Sequence, residues 1–252
     1  MPTQIKNNQK SRTRRSTALR MIELSRALAD RTRRLRFGLP VTHVYRPLDY
    51  ARELHESYLA TYADGDRDVL FLGMNPGPWG MAQTGIPFGA VGAVREWLRI
   101  DGSVEMPPRM HEKRPIQGLD CTRNEAAVAV GRGRLIGFAA RFFNRFFVAN
   151  YCPLCFLEAS GCNRTPDKLP PEERRPLYAA CDQALVGIVG ILKPSIVIGV
   201  GAFAETRARE ALKETGVRIG RIPHPSPASP AANRGWAGQA DSALASLGIA
   251  FD

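Results

Sequence analysis

A chain of 252 residues with 44% hydrophobic content is long enough to bury a sizeable core, which excludes a disordered protein. Its first 20 residues are polar and lack the apolar stretch of a signal peptide, and no apolar run approaches membrane-spanning length, so a soluble, intracellular protein is expected. The net charge of +11 is uneven, because residues 1–40 hold 11 Lys or Arg against only Glu23 and Asp30.

Residues 1–16 are polar, basic and free of aromatics, and read as a disordered tail, either simply solvated or acting as a phosphate-attracting arm. From residue 17 to 37 a helical pattern sets in, with Leu24, Leu28 and Leu35 at helical spacing and Gly38 and Pro40 as the stop. Residues 48–63 read as a second helix whose buried side takes Leu48, Leu54, Tyr58, Leu59 and Tyr62. The run 69–72 is continuously apolar, the mark of a parallel strand covered on both faces. Two more such runs occupy 146–149 and 196–200, and a weaker one 218–222. Helical patterns fill 90–99, 134–145, 173–192 and 203–215, while 101–131 reads as a long irregular connection. Strands alternating with helices predict a doubly wound parallel sheet, and no domain boundary interrupts residues 17–252.

Two loops follow strands and so fall where open α/β sheets hold ligands. The first, residues 73–89, reads Gly-Met-Asn-Pro-Gly-Pro-Trp-Gly-Met-Ala-Gln-Thr-Gly-Ile-Pro-Phe-Gly. Asn75 and its prolines could be a plain turn, but Gly77, Gly80, Gly85 and Gly89 would let backbone approach a ligand, and Phe88 offers a flat face between Pro87 and Gly89. The second begins at His224, in a loop stiffened by Pro225, Pro227 and Pro230. A histidine fixed at a strand end is a better candidate for chemistry than most. Asn150 directly follows the second strand; its amide could cap a helix or read a base edge with one donor and one acceptor.

Two further motifs invite other chemistry. Residues 199–204 fit Gly-x-Gly-x-x-Ala between a strand and a helix, a dinucleotide-binding pattern. Against it, the motif follows the third strand, and the next strand ends without an acid for a ribose; its helix start could instead hold a nucleic-acid phosphate. Cys152 and Cys155 form a C-x-x-C near Cys162, but a fourth metal ligand would have to come from far away, at Cys121 or Cys181, so no metal is expected.

Taken together, residues 73–89, the Asn150-Tyr151-Cys152-Pro153-Leu154 segment and the loop after His224 resemble the single-strand-selective monofunctional uracil-DNA glycosylases, a branch of the uracil-DNA glycosylase superfamily. The resemblance runs from about Val44 to Gly248 and includes residues 195–209. It implies a three-layer α/β/α sandwich with a central parallel four-stranded sheet. It also implies excision of uracil and 5-substituted uracils such as 5-hydroxymethyluracil from single- and double-stranded DNA, without a cofactor. Carried over by position, Asn75 would place the hydrolytic water and His224 would stabilise the departing base. Phe88 would stack on it, Asn150 would bond its pairing edge, and backbone at Met74, Gly77 and Met81 would line the pocket near the pyrimidine 5-position. DNA contacts would fall to Gly201 and to Ser226, Pro227, Ala228, Ser229, Pro230, Asn233 and Arg234, in the segment that enters the vacated duplex. The family pattern carries a basic residue at Ala228 and Asn at Ser229, so this loop should fill that space less fully. A monomer is expected, in the cytoplasm of a bacterium or the nucleus of a eukaryote. A non-catalytic DNA-binding module would account for the basic residues 1–40 but not for Asn75, Phe88, Asn150 and His224 together. A nucleotide-dependent enzyme using residues 199–204 is the other competing class.

Overall fold

The structure, a computed structural model, describes residues 16–123, 139–225 and 235–250. Its centre is a parallel sheet of β2 (Val69–Gly73), β3 (Phe146–Asn150), β6 (Ile196–Val200) and β7 (Arg218–Ile222), in the order β3-β2-β6-β7. The continuous apolar runs have the expected cause: every residue of β2 and of β6 is buried. Parallel register places Gly73 opposite Asn150 and Leu72 opposite Gly199, so the residues that follow all four strands emerge along one edge.

Helices cover the faces. The first, α1 (Thr17–Arg33), starts at Ser16, whose hydroxyl accepts the amide of Leu19 at 3.2 Å. Such a cap contributes about 1 kcal/mol. Ser16 thus belongs to the folded body rather than to the tail it was read with, and residues 1–15 lie outside the described residues. The helix ends at Arg33, four residues before the expected Phe37. Part of its charge is neutralised locally, by Arg26 on Glu56 at 2.6 Å and Arg33 on Asp49 at 2.5 Å.

The expected helix 48–63 is two pieces, α2 (Pro47–Tyr50) and α3 (Arg52–Tyr62), broken at Ala51, whose φ of −111° and ψ of 31° are not helical. The break has a packing reason: a β-carbon on Gly85 would lie 2.7 Å from the Ala51 carbonyl, so the two segments meet there at backbone distance. Leu54, Tyr58 and Leu59 of α3 are buried, each contributing about 1.5–3 kcal/mol. They join an aromatic cluster in which Tyr58 stacks on Phe147 at 5.3 Å and Tyr62 meets Phe143 at 4.4 Å.

A short helix, α4 (Met81–Thr84), lies inside the first motif. The expected helix 90–99 is a π-helical turn over Ala93–Leu98, and the described part of the connection that follows holds a 3-10 turn, Gly118–Asp120. Of the expected helix 134–145 the described part is α5 (Ala139–Arg145). The long α6 (Pro171–Leu192) matches its expected position, whereas α7 (Ala202–Ala211) starts where expected but ends four residues before 215. The last helix, α8 (Trp236–Ser246), was not anticipated.

Nor was a second sheet. Strands β1 (Val41–Tyr45), β4 (Cys155–Glu158) and β5 (Asn163–Arg164) form an antiparallel sheet in the order β1-β4-β5. It uses the cysteine-containing stretch read from the sequence as a metal candidate. Cys152 and Cys155 are buried free thiols, and the Cys155 Sγ donates to Asn163 Oδ1 at 3.7 Å. Among the described residues no helix is long and apolar enough to cross a membrane.

Candidate active site

The first motif leaves β2 at Gly73 and is held by buried polar groups from several elements. Gln83 is fully buried; its Nε2 donates to the carbonyls of Pro78 (2.8 Å) and Pro115 (3.0 Å), and its Oε1 accepts the amide of Gln117 (2.8 Å). The Thr84 hydroxyl donates to Gly89 O at 2.7 Å, and Tyr50 OH donates to Ala82 O at 2.5 Å. His55 Nδ1–H donates to Gly85 O at 2.7 Å, and burial pushes this imidazole down to about 4, so it is neutral at pH 7. A carbonyl can only accept, which fixes the tautomer. These groups set a turn in which Phe88 takes φ of 56°, a conformation that costs a non-glycine residue about 1 kcal/mol. Backbone held there against its preference is a common sign of a working site.

The turn delivers the Phe88 ring to the end of the sheet. A β-carbon on Gly73 would lie 2.6 Å from Phe88 Cζ and 2.2 Å from Asn150 Oδ1. Ring and amide therefore meet directly over Gly73, where a side chain of any size would separate them. Asn150 reaches this point because its strand pairs with β2 in register, and Tyr151 N donates to Gly73 O at 2.9 Å just beyond. The other end of the amide is also placed, since Asn150 Nδ2 donates to Met81 Sδ at 3.2 Å.

Asn75 is half-buried. Its Nδ2 donates to Leu154 O (3.3 Å) and Pro76 O (3.4 Å), which leaves Oδ1, an acceptor, as the amide atom for a water. Asn163, from the antiparallel sheet, donates to the same Pro76 carbonyl at 3.2 Å. Backbone at Met74 accepts Cys152 N at 2.9 Å, and the Gly77 carbonyl accepts Ala82 N at 3.1 Å, so both expected pocket residues lie in a fixed loop.

His224 leaves β7 through Pro223 and packs on Gly201. A β-carbon at Gly201, where φ is 92°, would lie 3.2 Å from the His224 Cβ. The backbone N–H of Gly201 donates to Ile222 O at 2.9 Å, and Trp236 Nε1 donates to Pro223 O at 2.8 Å, closing the base of the loop. Burial lowers the His224 pKa, so its imidazole is also neutral at pH 7. His224 thus packs at the end of β6, the strand that pairs directly with β2, from which the Asn75 loop departs.

Asn75, Phe88, Asn150, His224 and Gly201 are thus gathered at one edge of the sheet. Ser226, Pro227, Ala228, Ser229, Pro230, Asn233 and Arg234 lie outside the described residues. The glycines of 199–204 are accounted for by packing. A β-carbon on Gly199 would come within 2.3 Å of the Glu205 amide, and Gly201 serves the contact with His224. Trp79, which sequence reasoning passed over, carries the guanidiniums of Arg114 at 5.1 Å and Arg123 at 4.6 Å from its ring. An aromatic inside a glycine-rich loop was the available signal.

The uracil DNA glycosylase superfamily model matches residues 60–242. The chain belongs to this superfamily. As a member it is a uracil-DNA glycosylase, a hydrolase of N-glycosyl bonds. Over 240 residues it is 47% identical to the rat single-strand selective monofunctional uracil-DNA glycosylase, covering 93% of this chain and 86% of the relative. The bovine protein of the same name is 46% identical, with 93% and 88% covered. In fold the chain is similar to the crystal structure of SMUG2 from Pedobacter heparinus. The TM-score is 0.66 at 17% identity, with 93% of this chain and 98% of that one covered. The parallel four-stranded sheet between helices is the architecture that the resemblance implied.

Proposed function

We propose that this protein hydrolyses the N-glycosidic bond of uracil and of 5-substituted uracils such as 5-hydroxymethyluracil in single- and double-stranded DNA, leaving an intact abasic strand. The observation that carries this reading is the convergence of the Phe88 ring and Asn150 Oδ1 over Gly73. A flat ring brought there meets a stacking face and an acceptor at once.

The chemistry follows from the groups present. Extrusion of a nucleotide costs a few kcal/mol, least at a mismatch or in a single strand. Stacking on Phe88 returns about 1–3 kcal/mol. Asn150 Oδ1 accepts N3–H of uracil and its Nδ2 donates to O4; cytosine presents the reverse pattern and leaves buried groups unpaired. With Nδ2 on the Met81 side, uracil O4 and C5 face Met81. Bond breakage puts negative charge on the base and positive charge on the sugar. A neutral His224 donating to O2 stabilises the former by roughly 3 kcal/mol. The amide of Asn75 orients water through Oδ1 but is too weak a base to take its proton, so the reaction is largely dissociative, with water captured late. No lysine lies in residues 73–89 or 224–236, so a Schiff-base route to strand cleavage has no nucleophile there.

The test is excision from labelled oligonucleotides bearing uracil, 5-hydroxymethyluracil, hypoxanthine or thymine, with chelator present and alkali added afterwards. The expected result is alkali-labile product from the first two alone, in single strands and duplexes. No product from uracil, or product only without chelator, would overturn the reading.

A further inference from the structure

We propose that Trp79, Arg114 and Arg123 form a phosphate clamp beside the base slot: one indole ring holds two guanidiniums, and these bind a backbone phosphate flanking the extruded nucleotide on its own strand. The clamp rests on the reading of the carboxyl edge of the sheet as a site of uracil excision from DNA.

Three observations carry it. The first is position. Trp79 stands in the first motif, two residues after Gly77 and two before Met81. Its backbone is therefore within about 8 Å of both pocket residues, the scale of a single nucleotide. The second is charge. The Arg114 and Arg123 guanidinium carbons lie 5.1 and 4.6 Å from the centre of the Trp79 ring, so one ring gathers two like charges. Among the described residues neither guanidinium pairs with a carboxylate. The stretch 109–123 holds Arg109, Lys113, Arg114 and Arg123 against Glu112 and Asp120, and Asp120 is itself paired with Arg95 at 3.7 Å. Like charges gathered without a counter-charge repel until an anion joins them. The third is construction. Buried Gln83 donates to the carbonyls of Pro78 and Pro115, the neighbours of Trp79 and Arg114, so one amide ties the two segments side by side. The Arg114 carbonyl accepts the Tyr45 hydroxyl at 2.6 Å. Arg114 Nε and Nη1 donate to the carbonyls of Gly161 (3.0 Å) and Lys113 (3.1 Å), which leaves Nη2 for a ligand, and Arg123 is exposed. A guanidinium resting on an indole keeps its N–H groups in its own plane, where they meet a pair of phosphate oxygens. The ring already carries two cations, so it supports them rather than stacking a base.

The experiment measures binding of single-stranded DNA bearing one 2′-fluoro, non-hydrolysable uridine across a range of salt concentrations. Each linkage flanking that uridine is replaced in turn by a neutral methylphosphonate. The full chain is compared with Arg123→Gln, a change at an exposed position, and with Trp79→Leu. Arg123→Gln is expected to bind about tenfold more weakly at about 50 mM salt, with the slope of log affinity against log salt reduced by about 0.7, the value for one phosphate of a single strand. One methylphosphonate position should weaken the wild type by a similar factor and leave Arg123→Gln indifferent. Trp79→Leu, which keeps both charges but removes their support, should share that indifference. An unchanged salt slope in Arg123→Gln overturns the clamp, as do methylphosphonate penalties that are equal in wild type and Arg123→Gln at every flanking linkage. A folded Trp79→Leu that keeps the wild-type penalty overturns the part assigned to the ring, and Arg123→Gln decides the phosphate contact even where Trp79→Leu does not fold. Absence of uracil excision by the wild-type protein is a separate result, and it overturns the reading of the site itself.

Discussion

Replacing Gly73 by alanine is the sharpest perturbation of the pocket. The added β-carbon would lie 2.2 Å from Asn150 Oδ1 and 2.6 and 2.7 Å from two Phe88 ring atoms. Comfortable separations begin near 3.5 Å, so the amide and the ring must each withdraw by about 1 Å. Displacements of about 1 Å at a reacting centre cost on the order of 100-fold, which is the loss expected in single-turnover excision of uracil. The fold should survive, because the strand bonds at this position are made by backbone and Tyr151 N still reaches Gly73 O. Overpacking of this kind costs about 1–3 kcal/mol. That is a fall in Tm of about 2–4 °C for each kcal/mol. The assay is a quench-flow or manual time course on a labelled uracil oligonucleotide with enzyme in excess, beside a thermal melt. A folded Gly73→Ala within about threefold of the wild-type rate would refute the argument that Phe88 and Asn150 form the base slot over this glycine.

Other consequences are as direct. His224→Leu should slow excision by on the order of 100- to 1,000-fold and more than Asn75→Ala does, because the leaving base carries the developing charge; a slower Asn75 variant in single-turnover assays would reverse the ranking. Product strands should stay intact until alkali is added, and breaks in untreated samples on a denaturing gel would contradict a purely hydrolytic route. His55, held down to about 4 by burial against an ordinary 6.5, makes stability pH-dependent. Between those values the unfolded chain binds a proton that the folded one does not. Stability is therefore full above about pH 6.5 and falls as pH drops through 4, by about 3 kcal/mol from this residue. Urea unfolding from pH 7 to 4 should show a flatter profile for His55→Gln than for the wild type; parallel profiles would mean that His55 is not the group responsible.

The four central strands were legible because continuous apolar runs are a local signal, set by burial on both faces. Strand ends carrying Asn75, Asn150 and His224 were legible for the same reason. The antiparallel sheet was not: Cys155–Glu158 and Asn163–Arg164 are too short to show a period, and β1 finds its partner more than 100 residues away. The break at Ala51 was equally hidden, since its cause is the approach of Gly85 from another part of the chain. Asn163, Gln83 and His55, which fasten the first motif, carry no sequence mark of that duty.

By itself, the order of residues determined the sheet, the loops at its carboxyl edge and the family of residues in them, because each depends on neighbours a few positions apart. Only the tertiary structure decided that Phe88 and Asn150 share the space over Gly73, that the Met81 sulfur accepts from the Asn150 amide, and that both residues line a cavity. Those facts depend on register between strands 77 positions apart and on side-chain volumes contributed by five helices, quantities that no local pattern encodes.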